Sequence, residues 1–196
     1  KLILTAALAS ASTFAFAEPV TYKLDPSHTD VIAQWSHFGF SNPSAHFGDA
    51  DGTLVYDADN VAASSVEVTL PLSGLNSFTA KFDDHLRSSD FFNAAAFPVA
   101  TFKSTKVEAA GEGKLKVTGD LTIKGVTKPV TIAFEYTGTA VDPYGITRIG
   151  LDGKATVNRK DWGVTWNAAL DAGGVLVSEK VTLEFEVSAI RANESN

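Results

Sequence analysis

The sequence predicts an all-β chain folded as an antiparallel barrel of about eight strands, with one short helical segment set over it. Three observations carry this. Apolar and polar residues alternate with period two through nearly every extended segment, so each strand has one dry and one wet face. Short Gly, Pro and Asp turn signals separate the segments, as hairpins require. The longer segments run to about ten residues, and at that length closure removes exposed edges better than a stacked sandwich does.

The elements follow in order. Lys1 precedes the apolar run Leu2-Ile3-Leu4-Thr5-Ala6-Ala7-Leu8-Ala9, and Ala15-Phe16-Ala17 places small residues where a signal peptidase reads. Residues 1–17 are therefore expected to be an export signal, too short for a membrane span, with Glu18 opening the mature chain. A periplasmic location follows from that expectation. Residues 18–196 read as a single domain with no internal linker.

Strands are expected over residues 20–24, 29–38, 45–56 (interrupted by Gly48 and Gly52), 65–72 and 99–107. The clearest amphipathic strand is 114–124, with Leu115, Val117, Leu121 and Ile123 on one face and Lys114, Lys116 and Lys124 on the other. Strands at 129–141 and 147–158 follow. In the last strand Val181, Leu183, Phe185 and Val187 alternate with Thr182, Glu184 and Glu186. Between the fourth and fifth segments lies the least generic stretch. A charged, potentially helical opening at Asp83-Asp84-His85 runs into Phe91, Phe92 and Phe97, and Pro98 disfavours helix at the residue before it. Residues 83–98 are expected to form a helical lid over one end of the barrel.

Composition excludes several chemistries. The chain has no cysteine, which removes disulfides, a lipoprotein anchor, thiolate metal sites and covalent haem. Its net charge of −7 disfavours nucleic acid and anionic membranes as partners. No serine sits in a G-x-S-x-G elbow. His28, His37, His46 and His85 show no H-x-H or H-x-x-x-H spacing. A periplasmic enzyme or metal site using Asp83, Asp84 and His85 stays open as an alternative, although acidic residues near a helix start also serve the helix dipole. No catalytic residue, metal ligand or cofactor is assigned.

At this point the motifs resemble the YceI-like family. Tyr22-Lys23-Leu24-Asp25-Pro26-Ser27-His28-Thr29 is similar to its opening strand and turn, and Trp35-Ser36-His37-Phe38-Gly39-Phe40-Ser41 to its His-containing second strand. His85-Leu86-Arg87-Ser88-Ser89-Asp90-Phe91-Phe92, with Phe97-Pro98 and Thr101-Phe102-Lys103-Ser104, resembles its central signature. Gly119 to Val130 resembles its hairpin motif, and Asn158-Arg159-Lys160-Asp161-Trp162-Gly163 its late turn. The family usually carries an Arg-Asp pair before the His-Leu motif. Phe82-Asp83-Asp84 stands here instead, so no salt bridge of that arginine is implied.

The resemblance implies an extended lipocalin-like barrel, exported to the periplasm, whose apolar lumen takes an isoprenoid or other long-chain amphiphilic lipid. The candidate ligand-binding residues are Trp35, His37, Phe38, Phe40, Phe47, Phe92, Phe102, Phe134, Tyr136 and Trp162. The same rings could equally fill a packed core, leaving a filled barrel that acts as a stress-response module. Arg87 and Arg159 are the head-group candidates; ordinary pairing with Asp90 and Asp161 is their structural alternative. The sequence leaves homodimerisation open.

Overall fold

The computed structural model describes residues 18–171 and 173–194. The expected export signal, residues 1–17, lies outside the described residues. Among those described, eleven strands form one sheet that closes on itself. They are β1 (Val20–Leu24), β2 (Asp30–His37), β3 (Ser44–Phe47), β4 (Asp51–Tyr56), β5 (Ser65–Pro71), β6 (Leu75–Asn76), β7 (Val99–Ala109), β8 (Lys114–Ile123), β9 (Val126–Val141), β10 (Thr147–Asn158) and β11 (Val177–Arg191). Every pairing between them is antiparallel.

The barrel has eight strands because three of its staves are each broken in the middle. β11 pairs with β1 through Ala189–Arg191 and with β2 through Val177–Glu186. β1 and β2 are thus two halves of one stave, parted by the Asp25-Pro26-Ser27 turn. β3 and β4 form the second broken stave, and β5 and β6 the third. Closure runs β1-β4-β5-β7-β8-β9-β10-β11 and back to β1, while β2, β3 and β6 extend the wall at the other end.

The segment read as one strand over 45–56 is therefore two. The break falls at Gly48-Asp49-Ala50, where the Gly48 N–H donates to the Gly74 carbonyl at 3.1 Å. A Cβ on Gly74 would meet the Gly48 oxygen at 2.4 Å, so the two backbones cross at a distance only glycine allows. The strand expected from Pro129 starts earlier, at Val126, because Lys124 (φ 52°) and Gly125 (φ 74°) make a two-residue left-handed turn. Pro129 pairs with Asp120 of β8, at the end of β9 that does not reach β10.

The lid is also shorter than expected. Helix α1 spans Ala80–Arg87, and residues 88–96 continue as turns rather than helix. Local bonds stop the helix. The Ser88 hydroxyl donates to the His85 carbonyl at 2.7 Å, and the Phe92 N–H reaches back to the Leu86 carbonyl at 3.0 Å. At the other end the Asp83 carboxylate accepts from the Ser77 N–H and hydroxyl, at 2.6 and 2.5 Å. The Arg87 guanidinium anchors the whole element to backbone carbonyls of Leu72, Ser73 and Leu75.

A candidate lipid-binding lumen

The inward face of the barrel encloses a cavity of about 570 Å³, within the range of roughly 300–1,000 Å³ usual for small-molecule sites. Its walls are almost wholly apolar. β8 contributes Leu115, Val117, Leu121 and Ile123, and β11 contributes Val177, Val181, Leu183, Phe185 and Val187. The eight residue steps from Leu115 to Ile123 make about 26 Å along the strand, or about 20 Å along a barrel axis at ordinary tilt. The space is longer than it is wide, which suits a chain.

Two glycines keep it open. A Cβ on Gly153 would lie 2.3 Å from the Phe134 ring, and one on Gly119 would lie 2.6 Å from the Phe102 ring. Gly153 is the direct cross-strand neighbour of Phe134. Each ring therefore folds back onto the wall over a missing side chain instead of crossing the lumen. Cross-strand aromatic–glycine pairs of this kind fill the gap a glycine leaves in a sheet. Here they also preserve the bore.

The two ends differ. At one end Tyr22, Leu24, Leu54, Leu115, Ile149, Leu151 and Ala189 pack together, with Tyr56 stacked on Tyr136 at 5.6 Å. Burial, then the neighbouring Tyr136 and Tyr22, push the Tyr56 hydroxyl above its usual range, so it remains a neutral phenol. At the other end α1 and the turns after it lie over Val31, Ala33, Phe47 and Val164. Trp35 meets Phe82 at 5.8 Å and Phe47 meets Phe92 edge-on at 5.8 Å.

The histidines and the arginine of the wall lie at this lidded end. His37 and His85 both border the cavity, as does Arg159. His85 sits edge-on to Phe91 and Trp166 at 5.0 Å, with Asp90 at 3.4 Å from its Nε2. Arg159 is buried; its Nε donates to the Ser178 carbonyl at 2.9 Å and its guanidinium also reaches the carbonyls of Val164 and Val177. Burial lowers its pKa, opposed by Glu179, yet a guanidinium keeps its proton at neutral pH. No carboxylate lies within ion-pair distance of it among the described residues. Neither arginine takes the partner expected from sequence: both are held by carbonyls, and Asp90 faces His85 instead.

The sequence candidates divide accordingly. Trp35, His37, Phe47, Phe92, Phe102, Phe134, Trp162 and Arg159 line the lumen, whereas Arg87 does not. Trp162 is also a structural wedge: its indole N–H donates to the Leu121 carbonyl at 3.0 Å from a buried position. Phe38, Phe40 and Tyr136 lie outside the lumen. Tyr136 caps the packed end, its hydroxyl donating to Thr139 at 2.9 Å. Phe38 and Phe40 stand on an exposed turn, because β2 ends at His37 and the chain reverses there. Of the lid rings, Phe91 and Phe92 border the cavity, while Phe97 covers the Lys124-Gly125 turn.

Asp83, Asp84 and His85 do not converge. Asp83 is occupied by Ser77, which with burial working the other way keeps its carboxyl below the usual range. Asp84 is exposed and His85 turns to the lumen. Among the described residues no group of three or more His, Asp or Glu side chains is placed to hold a metal, and no helix is long and apolar enough to cross a membrane. Sequence reasoning missed Phe82, Trp166, Leu183 and Phe185 as lumen residues. The alternation of the last strand carried the signal for Leu183 and Phe185; Trp166 lies in an irregular segment where no period applies.

Comparison with known proteins agrees with this architecture. The YceI-like domain family matches residues 22–189. A UPF0312 protein of Ectopseudomonas mendocina is 42% identical over 164 residues, covering 84% of this chain and 83% of that protein. The crystal structure of Burkholderia cenocepacia BcnA superposes with a TM-score of 0.74 at 23% identity, covering 84% of this chain and 98% of that one. A polyisoprenoid binding domain from Saccharophagus degradans, implicated in plant cell wall breakdown, gives a TM-score of 0.65 at 14% identity over 88% of this chain and 99% of that one. With a family match over nearly the whole described chain and the barrel to go with it, the chain belongs to the YceI-like family.

Proposed function

We propose that this protein is an exported binding protein that carries an isoprenoid or other long-chain amphiphilic lipid in its lumen, with no catalytic step. The observation that supports it most is the elongated apolar cavity of about 570 Å³ inside a barrel whose rings are folded back onto glycines. Each methylene taken from water into such walls contributes about 0.8 kcal/mol, so a long tail binds without specific polar contacts. The polybranched tail of an isoprenoid suits a wall of Leu, Val and Phe, and the polyisoprenoid-binding relative has the same fold. The head group would lie at the lidded end, beside His37, His85 and Arg159, with the tail running toward Leu115 and Tyr56. The cavity favours this reading over the rival one, a filled barrel acting by surface interactions.

The test is native mass spectrometry of gently purified protein, followed by organic extraction of what it carries. A stoichiometric long-chain lipid is the expected result. A chain that stays empty after expression in several hosts, and that takes up no prenyl alcohol in vitro, would overturn the reading. Fractionation of cells expressing the full sequence, with N-terminal sequencing, tests export: Glu18 as first residue of a periplasmic protein is expected.

A further inference from the structure

The turn at the end of β2 is costly and exposed, and its two phenylalanine rings take no part in the lumen. Phe40 is 91% exposed and Phe38 42% exposed, yet their rings stack at 6.0 Å and 10°. Phe38 takes a left-handed backbone (φ 57°), an unfavourable state for a bulky residue. The turn is nonetheless well fixed. The His37 N–H donates to the Ser41 carbonyl at 2.9 Å, Phe40 to His37 at 3.0 Å, and Phe38 across to Leu176 at 3.0 Å. Beside Leu176, Val175 is half exposed. Two water-facing rings are thus presented by a hydrogen-bonded frame.

Their surroundings name the partner. His37, Ser41 and Leu176, which hold the rings in place, belong to the cavity wall, and Ser41 is itself exposed. The lumen wall therefore runs out to the surface beside the aromatic pair. Residues 31–48 and 173–178 contain no Asp, Glu, Lys or Arg, in a chain that is 20% charged and carries a net −7. We infer that this uncharged aromatic rim docks on a zwitterionic lipid bilayer, so that the lumen exchanges lipid directly with the membrane. The inference rests on the lipid-carrier reading. A tail that leaves through water exposes every methylene, whereas a rim seated among head groups avoids that exposure. The acidic remainder of the surface disfavours an anionic bilayer.

Flotation with phosphatidylcholine vesicles tests the docking on unloaded protein. The native chain is expected to float. The Phe38→Ser/Phe40→Ser variant should bind at least about tenfold more weakly, and vesicles with an equal share of phosphatidylglycerol should bind the native chain less. Should the double variant fail to fold, Phe40→Ser alone, at a ring with almost no native packing, carries the same comparison. With a fluorescent prenyl alcohol loaded, transfer should accelerate with vesicle concentration for the native chain, and about tenfold less for the variant, with equal retention in the absence of vesicles. A native chain that does not float, or a variant that floats equally well, overturns the inference. So does self-association in sedimentation that the substitutions abolish, with no flotation, because the rim would then cover a second copy. Failure of the probe to load counts against the carrier reading alone, since flotation of the unloaded chain still decides the docking.

Discussion

One face of β11 passes through both ends of the barrel. Val181, Leu183, Phe185, Val187 and Ala189 all point inward, two residues apart. Ala189 is wholly buried, packed with Ile149, Leu151 and Tyr22, while the four before it stay partly exposed within the barrel. The alternation is the same throughout. What changes is whether a side chain from the opposite wall arrives to meet it. At the packed end Tyr22, Leu24 and Ile149 close the gap. Between the two ends Gly119 and Gly153 draw Phe102 and Phe134 aside, and at the lidded end α1 roofs the space without filling it.

The comparison is broken most forcefully by cutting side chains at both ends. Ile149→Ala should cost about 2–5 kcal/mol, the usual range for a truncation that leaves a cavity in packed surroundings. Leu183→Ala should cost about 1–2 kcal/mol, since part of that side chain already faces open space and has fewer contacts to lose. Urea unfolding of the lipid-free proteins measures both. Equal losses would mean that the lumen closes up in solution.

A smaller effect should come from filling the notch under a ring. Gly153→Ala sets a methyl group 2.3 Å from the Phe134 ring, which must swing off the wall. Overpacking of this sort costs about 1–3 kcal/mol, and the displaced ring enters the bore. Affinity for a prenyl probe should fall in parallel, and Gly153→Ala/Phe134→Leu should recover it. Unchanged affinity in the single variant would show that the ring has another way out.

The gentlest probe is acid. At the packed end Arg148 bridges Asp25 and Asp142, with Oδ2 of Asp142 at 2.8 Å. Burial raises the Asp25 pKa, but hydrogen bonds from Arg148 and His28 outweigh it and hold the carboxyl below its ordinary 3.8. Arg148 lowers Asp142 likewise. Depressed carboxyl groups stabilise the fold fully above their ordinary pKa and lose that contribution as pH falls through the folded-state value. Tm should therefore fall as pH drops below about 3.8, and Arg148→Met should make that fall shallower while slightly lowering Tm at neutral pH. An unchanged acid slope would remove the bridge from the account of this end.

What the sequence by itself determined was the faces of the strands. The alternation in 114–124 and 181–187 follows from the two-residue period of extended chain, a local property; it assigned Val117 and Leu121 to the inside before any contact was known, and it put Leu183 and Phe185 on one face of the last strand without naming that face as lumen. A turn after the 114–124 strand and a helical start before Pro98 were legible from Gly125 and Pro98, but the tight turn at Lys124-Gly125 and the lid's early stop at Arg87 were not, since Lys124 continued the alternation and Ser88 could equally have continued the helix. Only the tertiary structure decided what the inside contains. Whether Phe134 crosses the bore or folds onto Gly153 depends on which residue the register puts opposite, and Phe102 depends on Gly119, its diagonal neighbour two residues from the directly opposite Leu121. The fate of Phe38 and Phe40 turned on where β2 ends, which is set by its pairing with β11 and β3. The partners of Arg87 and Arg159 are backbone carbonyls brought in by distant segments, and no side-chain pattern announces a carbonyl.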